Sequence, residues 1–203
     1  MLSVLNYTPA PYPVRFFNTN QSHFAKMDTL YLIVPGISNS SENHWQSIWE
    51  REFPDKFRRI EQREWNTPVC TDWIDTIESE VAAAGPANVV LVAHSLGCTA
   101  VAQWALKYGT KIKGALLVAP SDCEAPTYTF DTKGFTPIPL SKLPFTSIVV
   151  ASTNDEYVSL ERAKFFADAW GSELVSVGDR GHINLNAGFG PWDEGLEILR
   201  RLD

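Results

Sequence analysis

The sequence of 203 residues contains few cysteines, no long apolar run and fewer basic than acidic residues. Its three cysteines, Cys70, Cys98 and Cys123, are an odd number without CxxC spacing, which argues against a disulfide framework and a structural zinc site. No apolar stretch reaches the length of about 18 residues that a transmembrane helix requires. With 17 Lys and Arg against 24 Asp and Glu, the net charge of −7 argues against nucleic acid or an anionic membrane surface as the main partner. These features favour a cytoplasmic protein.

Residues 1–27 differ in composition from the rest of the chain. They contain a cluster of prolines and no acidic residue. We expect this segment to be an N-terminal arm that is either flexible or not native, with Met27 as an alternative start. The total length favours one domain, which we place at residues 28–203.

Five short apolar runs and one weaker, polar strand pattern alternate with helical patterns along the remainder of the chain, and the polar strand, 57–63, is expected near a sheet edge. The predicted strands are 29–34, 57–63, 88–93, 114–119, 146–151 and 173–177. The predicted helices are 41–53, 72–84, 96–108, 159–170 and 192–202. This alternation predicts an α/β protein with a compact six-stranded parallel sheet and helices on both faces. The proline-rich segment 120–145 has no helical period and is too short for a large cap domain.

The residues that follow the predicted strands are informative, because ligands of open parallel sheets bind at the carboxyl ends of the strands. Ser95 follows the third strand, Asp155 the fifth and His182 the sixth. The order Ser…Asp…His is the one that α/β-hydrolases use. Asp122, after the fourth strand, is an alternative acid, and His44 is an alternative base.

The segment Ala93-His94-Ser95-Leu96-Gly97 is a variant of the G-x-S-x-G nucleophile elbow, with alanine in place of the first glycine. Small flanking residues are needed there because the chain turns sharply from a strand into a helix. The pattern predicts Ser95 as nucleophile, His182 as general base and Asp155 as the acid that orients the histidine. The alternative is a tight strand–helix turn with an incidental serine.

An oxyanion hole requires two backbone N–H groups beside the nucleophile. The N–H of Leu96 is the first candidate, and that of Ile37 or Ser38 is the second, since Gly36 lets the backbone approach closely. Three further side chains near the strand ends are candidates for the pocket wall: His44, Trp45 and Trp65. Packing in the core or at its rim is the alternative role for each of the two tryptophans. Neither G-x-G-x-x-G nor G-x-x-x-x-G-K-[ST] occurs, so nucleotide binding is disfavoured, and no cofactor or metal is expected.

The ordered set of motifs resembles a known family. It comprises Pro35-Gly36 with Ser41 and His44-Trp45, the Ser95 elbow, Pro120-Ser121-Asp122, Asn154-Asp155 with Tyr157-Val158, and Gly181-His182-Ile183-Asn184 leading to Gly188-Phe189-Gly190-Pro191-Trp192. Over about residues 28–202, the chain is similar to the small α/β-hydrolases of the retinoblastoma-binding-protein-nine and YdeN type. The resemblance implies the α/β-hydrolase fold without a large cap, and it places nucleophile, acid and base at Ser95, Asp155 and His182.

From these observations we expect a metal-independent serine hydrolase that cleaves small carboxylic esters or related acyl compounds through an acyl-Ser95 intermediate. The expected partner is a small-molecule acyl substrate, with no nucleic acid and no membrane, and the sequence indicates no protein partner. Two alternatives stay open. One is a non-catalytic protein-binding module on a hydrolase scaffold, and the other is an amide-cleaving or acyl-transfer enzyme with the same triad.

Overall fold

The computed structural model describes residues 29–203, so the N-terminal arm expected over residues 1–27 lies outside the described residues. The strands are β1 (Leu30–Val34), β2 (Phe57–Arg59), β3 (Val89–His94), β4 (Gly114–Val118), β5 (Thr146–Ala151) and β6 (Glu173–Ser176). They form one parallel sheet in the order β2-β1-β3-β4-β5-β6. The predicted six-stranded parallel sheet is confirmed, and the polar strand β2 lies at an edge as its composition indicates.

Five α-helices cover the two faces of the sheet. They are α1 (Trp45–Glu52), α2 (Cys70–Ala84), α3 (Leu96–Tyr108), α4 (Leu160–Trp170) and α5 (Asp193–Leu199). Helices α2, α3 and α4 contribute to the hydrophobic layer on one face, and α1 and α5 contribute to the layer on the other. No helix within residues 29–203 has the length and apolar character needed to cross a membrane.

Strand β3 shows why the chain forms a sheet with two covered faces. All six of its residues are buried. Successive side chains point to opposite faces, so Leu91 packs in the layer with α2 and α3, whereas Val90 and Val92 pack in the layer with α1. A strand with apolar residues on both faces is typical of the centre of a parallel sheet. The carboxyl end of β3 therefore lies at the centre of the sheet edge, between β1 and β4.

Several element boundaries differ from the sequence prediction. Helix α1 begins at Trp45 rather than at residue 41, because the ring of His44 accepts a hydrogen bond from the backbone N–H of Gln46 and caps the helix. Helix α2 begins at Cys70, two residues before the predicted start at residue 72. Strand β2 stops at Arg59, before the predicted end at residue 63, and its three residues pair with three of the five residues of β1.

The proline-rich segment 120–145 contains no α-helix and no named strand, as expected. Three of its apolar side chains enter the core beside α3 and α4, namely Phe135, Ile138 and Leu143. The segment therefore packs against the domain as a connection, and the described residues include no separate cap domain.

Candidate active site

The turn between β3 and α3 holds Ser95 in a strained conformation. Its φ of 56° and ψ of −126° place a non-glycine residue at positive φ, which costs about 1–3 kcal/mol. The turn fits only because Gly97 has no side chain, since a Cβ there would lie 2.3 Å from the carbonyl oxygen of Val34. The backbone N–H of Ser95 donates to the carbonyl of Val118 at 3.0 Å. The fold thus holds the serine hydroxyl at the carboxyl edge of the sheet.

Ser95, His182 and Asp155 form one hydrogen-bonded chain. The Oγ of Ser95 lies 2.9 Å from Nε2 of His182, and Nδ1 of His182 lies 2.9 and 2.8 Å from the two carboxylate oxygens of Asp155. The side chains of His182 and Asp155 are 5% and 0% exposed. Because a carboxylate only accepts hydrogen bonds, Nδ1 carries the proton and Nε2 is free to accept the proton of Ser95. The arrangement can move a proton away from the serine hydroxyl.

The two candidate acids have different partners. Asp155 contacts His182, and it also accepts a hydrogen bond of 2.8 Å from the backbone N–H of Tyr157. Asp122 instead accepts a hydrogen bond of 2.8 Å from Nε of Arg162 on α4. The structure therefore brings Asp155, and not Asp122, to the histidine.

The other described histidines are neutral side chains that support the site. Nε2 of His94 donates to the backbone carbonyl of His182 at 2.9 Å, and burial holds the pKa of His94 well below its ordinary value. Burial, with the nearby charge of Arg59, lowers the pKa of His44 to about 3. Nδ1 of His44 accepts from the N–H of Gln46 at 3.2 Å, so its proton resides on Nε2. Neither ring contacts the Ser95 hydroxyl, so the structure gives neither the geometry of a general base.

Of the candidate oxyanion donors, two have a backbone N–H group with no acceptor among the hydrogen bonds of residues 29–203. The first is that of Leu96, which begins α3 and so has no partner within the helix. The second is that of Ile37, which follows β1 and Pro35-Gly36. The N–H of Ser38, the alternative considered from the sequence, donates to the carbonyl of Trp65 at 2.9 Å. The hydrogen bonding therefore favours Leu96 and Ile37 as the pair available to an oxyanion.

The carboxyl edge of the sheet contains an open cavity of about 310 Å³. It is lined by Gly36, Ile37, Ser38, Asn39, His44, His94, Ser95, Ser121, Tyr128, Phe130, Tyr157, His182, Asn184 and Asn186. No Asp, Glu, Lys or Arg is among these lining residues. One wall is aromatic. The ring centroids of Tyr157 and His182 are 4.6 Å apart, and those of Phe130 and Tyr157 are 5.7 Å apart. The cavity suits an uncharged ligand with an apolar part.

The structure places Trp45 and Trp65 outside the cavity wall, which corrects the expectation for both. Trp45 is fully buried, and its indole N–H donates to the carbonyl of Ile183 at 2.9 Å, which holds the loop that carries His182. Trp65 packs against Trp73 of α2, with ring centroids 5.6 Å apart. Trp45 therefore packs in the core, and Trp65, which is partly buried, packs against the core beside α2.

Several lining residues were not predicted from the sequence. Ser121 follows β4 and Tyr157 follows the Asp155 turn, so the rule that sites lie at strand ends would have found both. Tyr128 and Phe130 come from the irregular segment 120–145, in which no periodic signal indicates their position. Among residues 29–203, no group of three or more His, Cys, Asp or Glu side chains is arranged to hold a metal ion.

The parallel sheet and the strained serine turn place this chain among the α/β-hydrolases. A family model described as serine hydrolase matches residues 31–201, and the chain therefore belongs to the serine hydrolase family. No curated protein matches the sequence.

Solved structures include two similar small hydrolases. A YdeN-like hydrolase from Pectobacterium atrosepticum is 39% identical, with 86% of this chain and 90% of that chain covered and a TM-score of 0.76. The ydeN gene product from B. subtilis is 26% identical, with 86% and 98% covered and a TM-score of 0.72. The expected relationship to YdeN-type hydrolases is confirmed.

A more distant structure shows the shared fold alone. Est1E from Butyrivibrio proteoclasticus, solved with ferulic acid bound, is 16% identical, with 86% of this chain and 89% of that chain covered and a TM-score of 0.62. The expected α/β-hydrolase fold without a large cap is confirmed.

Proposed function

We propose that this protein hydrolyses small, uncharged carboxylic esters through an acyl-Ser95 intermediate. The observation that carries the proposal is the chain of hydrogen bonds from Ser95 through His182 to Asp155. An unassisted serine hydroxyl is a weak nucleophile at neutral pH, and an adjacent base that is oriented by a third group activates it. The absence of charged side chains among the residues that line the cavity supports the uncharged substrate.

In the acylation step, Oγ of Ser95 attacks the carbonyl carbon of the ester while its proton passes to Nε2 of His182. The carbonyl electrons move to the oxygen, which accepts hydrogen bonds from the N–H groups of Ile37 and Leu96. One such donor contributes roughly 3–4 kcal/mol to transition-state stabilisation in a measured case. When the carbonyl reforms, the bond to the alcohol oxygen breaks, and His182 gives its proton to the departing alcohol.

In the deacylation step, a water molecule enters in place of the alcohol. His182 takes a proton from this water, whose oxygen attacks the acyl carbon and forms a second tetrahedral intermediate. The bond to Oγ then breaks, and the proton on His182 returns to Ser95. The products are one carboxylic acid and one alcohol, and the enzyme is restored.

Replacing the nucleophile tests the proposal. Ser95→Ala removes the attacking oxygen, and we expect hydrolysis of p-nitrophenyl acetate to fall by at least about 10³-fold, since loss of a nucleophile is this costly in serine proteases. Ser147→Ala is the control because it deletes a buried serine hydroxyl outside the cavity lining, whose Oγ bonds another serine, Ser172, at 2.6 Å. The control should keep wild-type turnover.

The outcomes separate the alternatives. Turnover by Ser95→Ala equal to that of the wild type contradicts the proposal. A folded wild-type protein that hydrolyses no ester and also reacts with no acyl amide or acyl acceptor supports a non-catalytic binding module. Faster reaction with amides, or transfer to added nucleophiles, supports the amide-cleaving or acyl-transfer alternative.

We also propose a cytoplasmic location. Cys70, Cys98 and Cys123 are buried and free in the structure, and free thiols persist in a reducing compartment. Fractionation of the native host, with antibody detection, tests this location. Recovery of the protein outside the cytoplasmic fraction contradicts it.

A further inference from the structure

Ser121 makes a contact with Ser95 that the mechanism above does not use. It follows β4 and is 3% exposed, and its Oγ lies 2.8 Å from Oγ of Ser95. Its backbone N–H donates to the carbonyl of Ser95 at 3.4 Å, and its own carbonyl accepts from the hydroxyl of Thr99 at 3.4 Å. These contacts hold the hydroxyl of Ser121 against the nucleophilic oxygen.

The hydroxyl of Ser95 has a single proton, and this determines which serine donates the hydrogen bond between the two. Nε2 of His182 accepts this proton because the proton of the neutral imidazole resides on Nδ1 beside the carboxylate of Asp155. The oxygen of Ser95 then has only lone pairs left for its second partner. Ser121 is therefore the donor, and its O–H points at the oxygen that attacks the substrate.

We propose that Ser121 is a hydrogen-bond donor to the nucleophilic oxygen and stabilises that oxygen whenever negative charge develops on it. This inference rests on the proposed function. During acylation, the proton of Ser95 passes to His182 as the new bond to carbon forms, and Ser121 keeps its own proton directed at Oγ. During deacylation, the bond from Oγ to carbon breaks and its electron pair returns to Oγ. The hydroxyl of Ser121 stabilises this charge until His182 returns the proton.

The contact also orients Ser95 before the reaction. Its Oγ lies between two fixed partners, since His182 and Ser121 are both buried. The hydroxyl therefore has one favoured position, from which its lone pair faces the cavity. Preorganisation of this kind reduces the entropy that is lost on reaching the transition state.

The test is Ser121→Ala, which removes the donor and leaves the nucleophile and the base in place. Hydrogen bonds to charged groups are stronger than those between neutral groups, so we expect kcat to fall about ten-fold or more. The rate of covalent labelling of Ser95 by a fluorophosphonate should fall by a similar factor. KM should stay within about two-fold of the wild-type value, because acylation and deacylation both lose the same donor.

Two further variants exclude a purely structural effect. Ser147→Ala deletes an equally buried serine hydroxyl that bonds another serine away from the cavity, and it should leave kcat unchanged. Ser121→Thr keeps the hydroxyl, and it should recover most of the rate that Ser121→Ala loses. Thermal unfolding of each variant shows whether the fold is retained.

The result that overturns the inference differs from the one that overturns the proposed function. If Ser95→Ala is inactive while Ser121→Ala labels and turns over at the wild-type rate, Ser121 is not a donor of consequence and the proposed function still holds. A loss of kcat in Ser147→Ala or in Ser121→Thr equal to that in Ser121→Ala also overturns the inference, because the hydroxyl of Ser121 is then not the cause of the lower rate. Retained activity in Ser95→Ala overturns the proposed function itself.

Discussion

Asp155 and Asp122, which follow neighbouring strands, have different roles because their hydrogen-bond partners differ. Asp155 is fully buried at its side chain and accepts hydrogen bonds from Nδ1 of His182 and from the backbone N–H of Tyr157. Asp122 is paired with Arg162, which also forms an ion pair with Glu124. An aspartate that neutralises an arginine ties segment 120–145 to α4, whereas one that faces a histidine fixes the position of the imidazole proton.

Asp155→Asn distinguishes the two acids. The amide nitrogen can donate to Nδ1 of His182, which favours the tautomer with the proton on Nε2 and removes the acceptor that Ser95 needs. We expect kcat for p-nitrophenyl acetate to fall by about 10⁴-fold, as in a serine protease with the same change.

Asp122→Asn is the matched variant, and it should keep kcat close to the wild-type value. The folded protein should be less stable than the wild type, because the substitution leaves Arg162 with one acidic partner in place of two. A large loss of kcat in Asp122→Asn, together with wild-type kcat in Asp155→Asn, contradicts the proposed roles. Thermal unfolding of both variants separates loss of chemistry from loss of folded protein.

The loop after β1 and the turn after β3 are in close contact, and this contact shapes the site. A Cβ on Gly36 would lie 2.7 Å from Cβ of Ser95 and 3.1 Å from the carbonyl oxygen of His94. All five residues of β1 pair with β3, so the strands hold the loop and the turn close together. The missing side chain at Gly36 therefore lets the N–H of Ile37 approach the nucleophile.

Gly36→Ala tests this contact between elements. The added methyl group would displace the loop and move the N–H of Ile37 from the oxyanion position, so we expect kcat/KM to fall by about 10²-fold. Gly190→Ala is the control, because a Cβ there would have its closest neighbours at 3.7 and 3.8 Å, which is ordinary contact. Equal activity of the two variants contradicts this account of the loop. Circular dichroism and thermal unfolding establish that both variants fold.

On the scale of the whole molecule, the layer between the sheet and α1 contains neutral histidines beside a cluster of aromatic residues. The ring centroids of His44 and His94 are 5.0 Å apart, and those of His94 and His182 are 4.9 Å apart. Burial is the first cause of the lowered pKa of His44 and of His94. The folded protein therefore resists taking up protons that the unfolded chain binds readily.

This difference predicts how stability depends on pH. The pKa of His44 is about 3 in the folded protein against 6.5 ordinarily, so the unfolded state binds the extra proton as the pH falls below about 6.5. Its contribution to stability is fully present above that pH and is lost progressively towards pH 3. Each such histidine adds a slope of up to about 1.4 kcal/mol per pH unit.

Urea unfolding between about pH 6.5 and pH 5 measures this slope before most carboxylates titrate. His44→Asn keeps a capping acceptor for α1 and removes one titrating group, so its slope should be smaller than that of the wild type. The same slope in both proteins contradicts the neutral, buried state of His44.

Most of the fold could be predicted from the sequence because its strongest signals are local. Helix α3 and strand β5 occur with the predicted boundaries, and α3 ends at Gly109, whose αL conformation is typical of a helix C-cap. The start of α1 was misplaced because the residue that caps it, His44, is not a usual capping residue. Boundaries of this kind depend on one side-chain contact rather than on a periodic pattern.

The sequence predicted the residues of the site only where a reactive side chain follows a strand. Ser95 and His182 lie at strand ends, and the structure brings their side chains together. Phe130 belongs to an irregular segment whose path depends on long-range packing, so no local pattern indicates its place beside Tyr157. From the sequence, Trp45 is a candidate for either the pocket wall or the core, and the structure buries it in the core, as its large aromatic surface favours.

Site-mapped covalent labelling tests the central claim most directly. The full-length protein would be treated briefly with a fluorophosphonate, digested and examined by mass spectrometry, with Ser147→Ala as the control and Asp155→Asn as a variant without an oriented base. We predict one adduct per molecule on Ser95 in the wild type and in the control, and much slower labelling in Asp155→Asn. An adduct on another residue, or none on the folded wild-type protein, would contradict the assignment of Ser95 as the nucleophile.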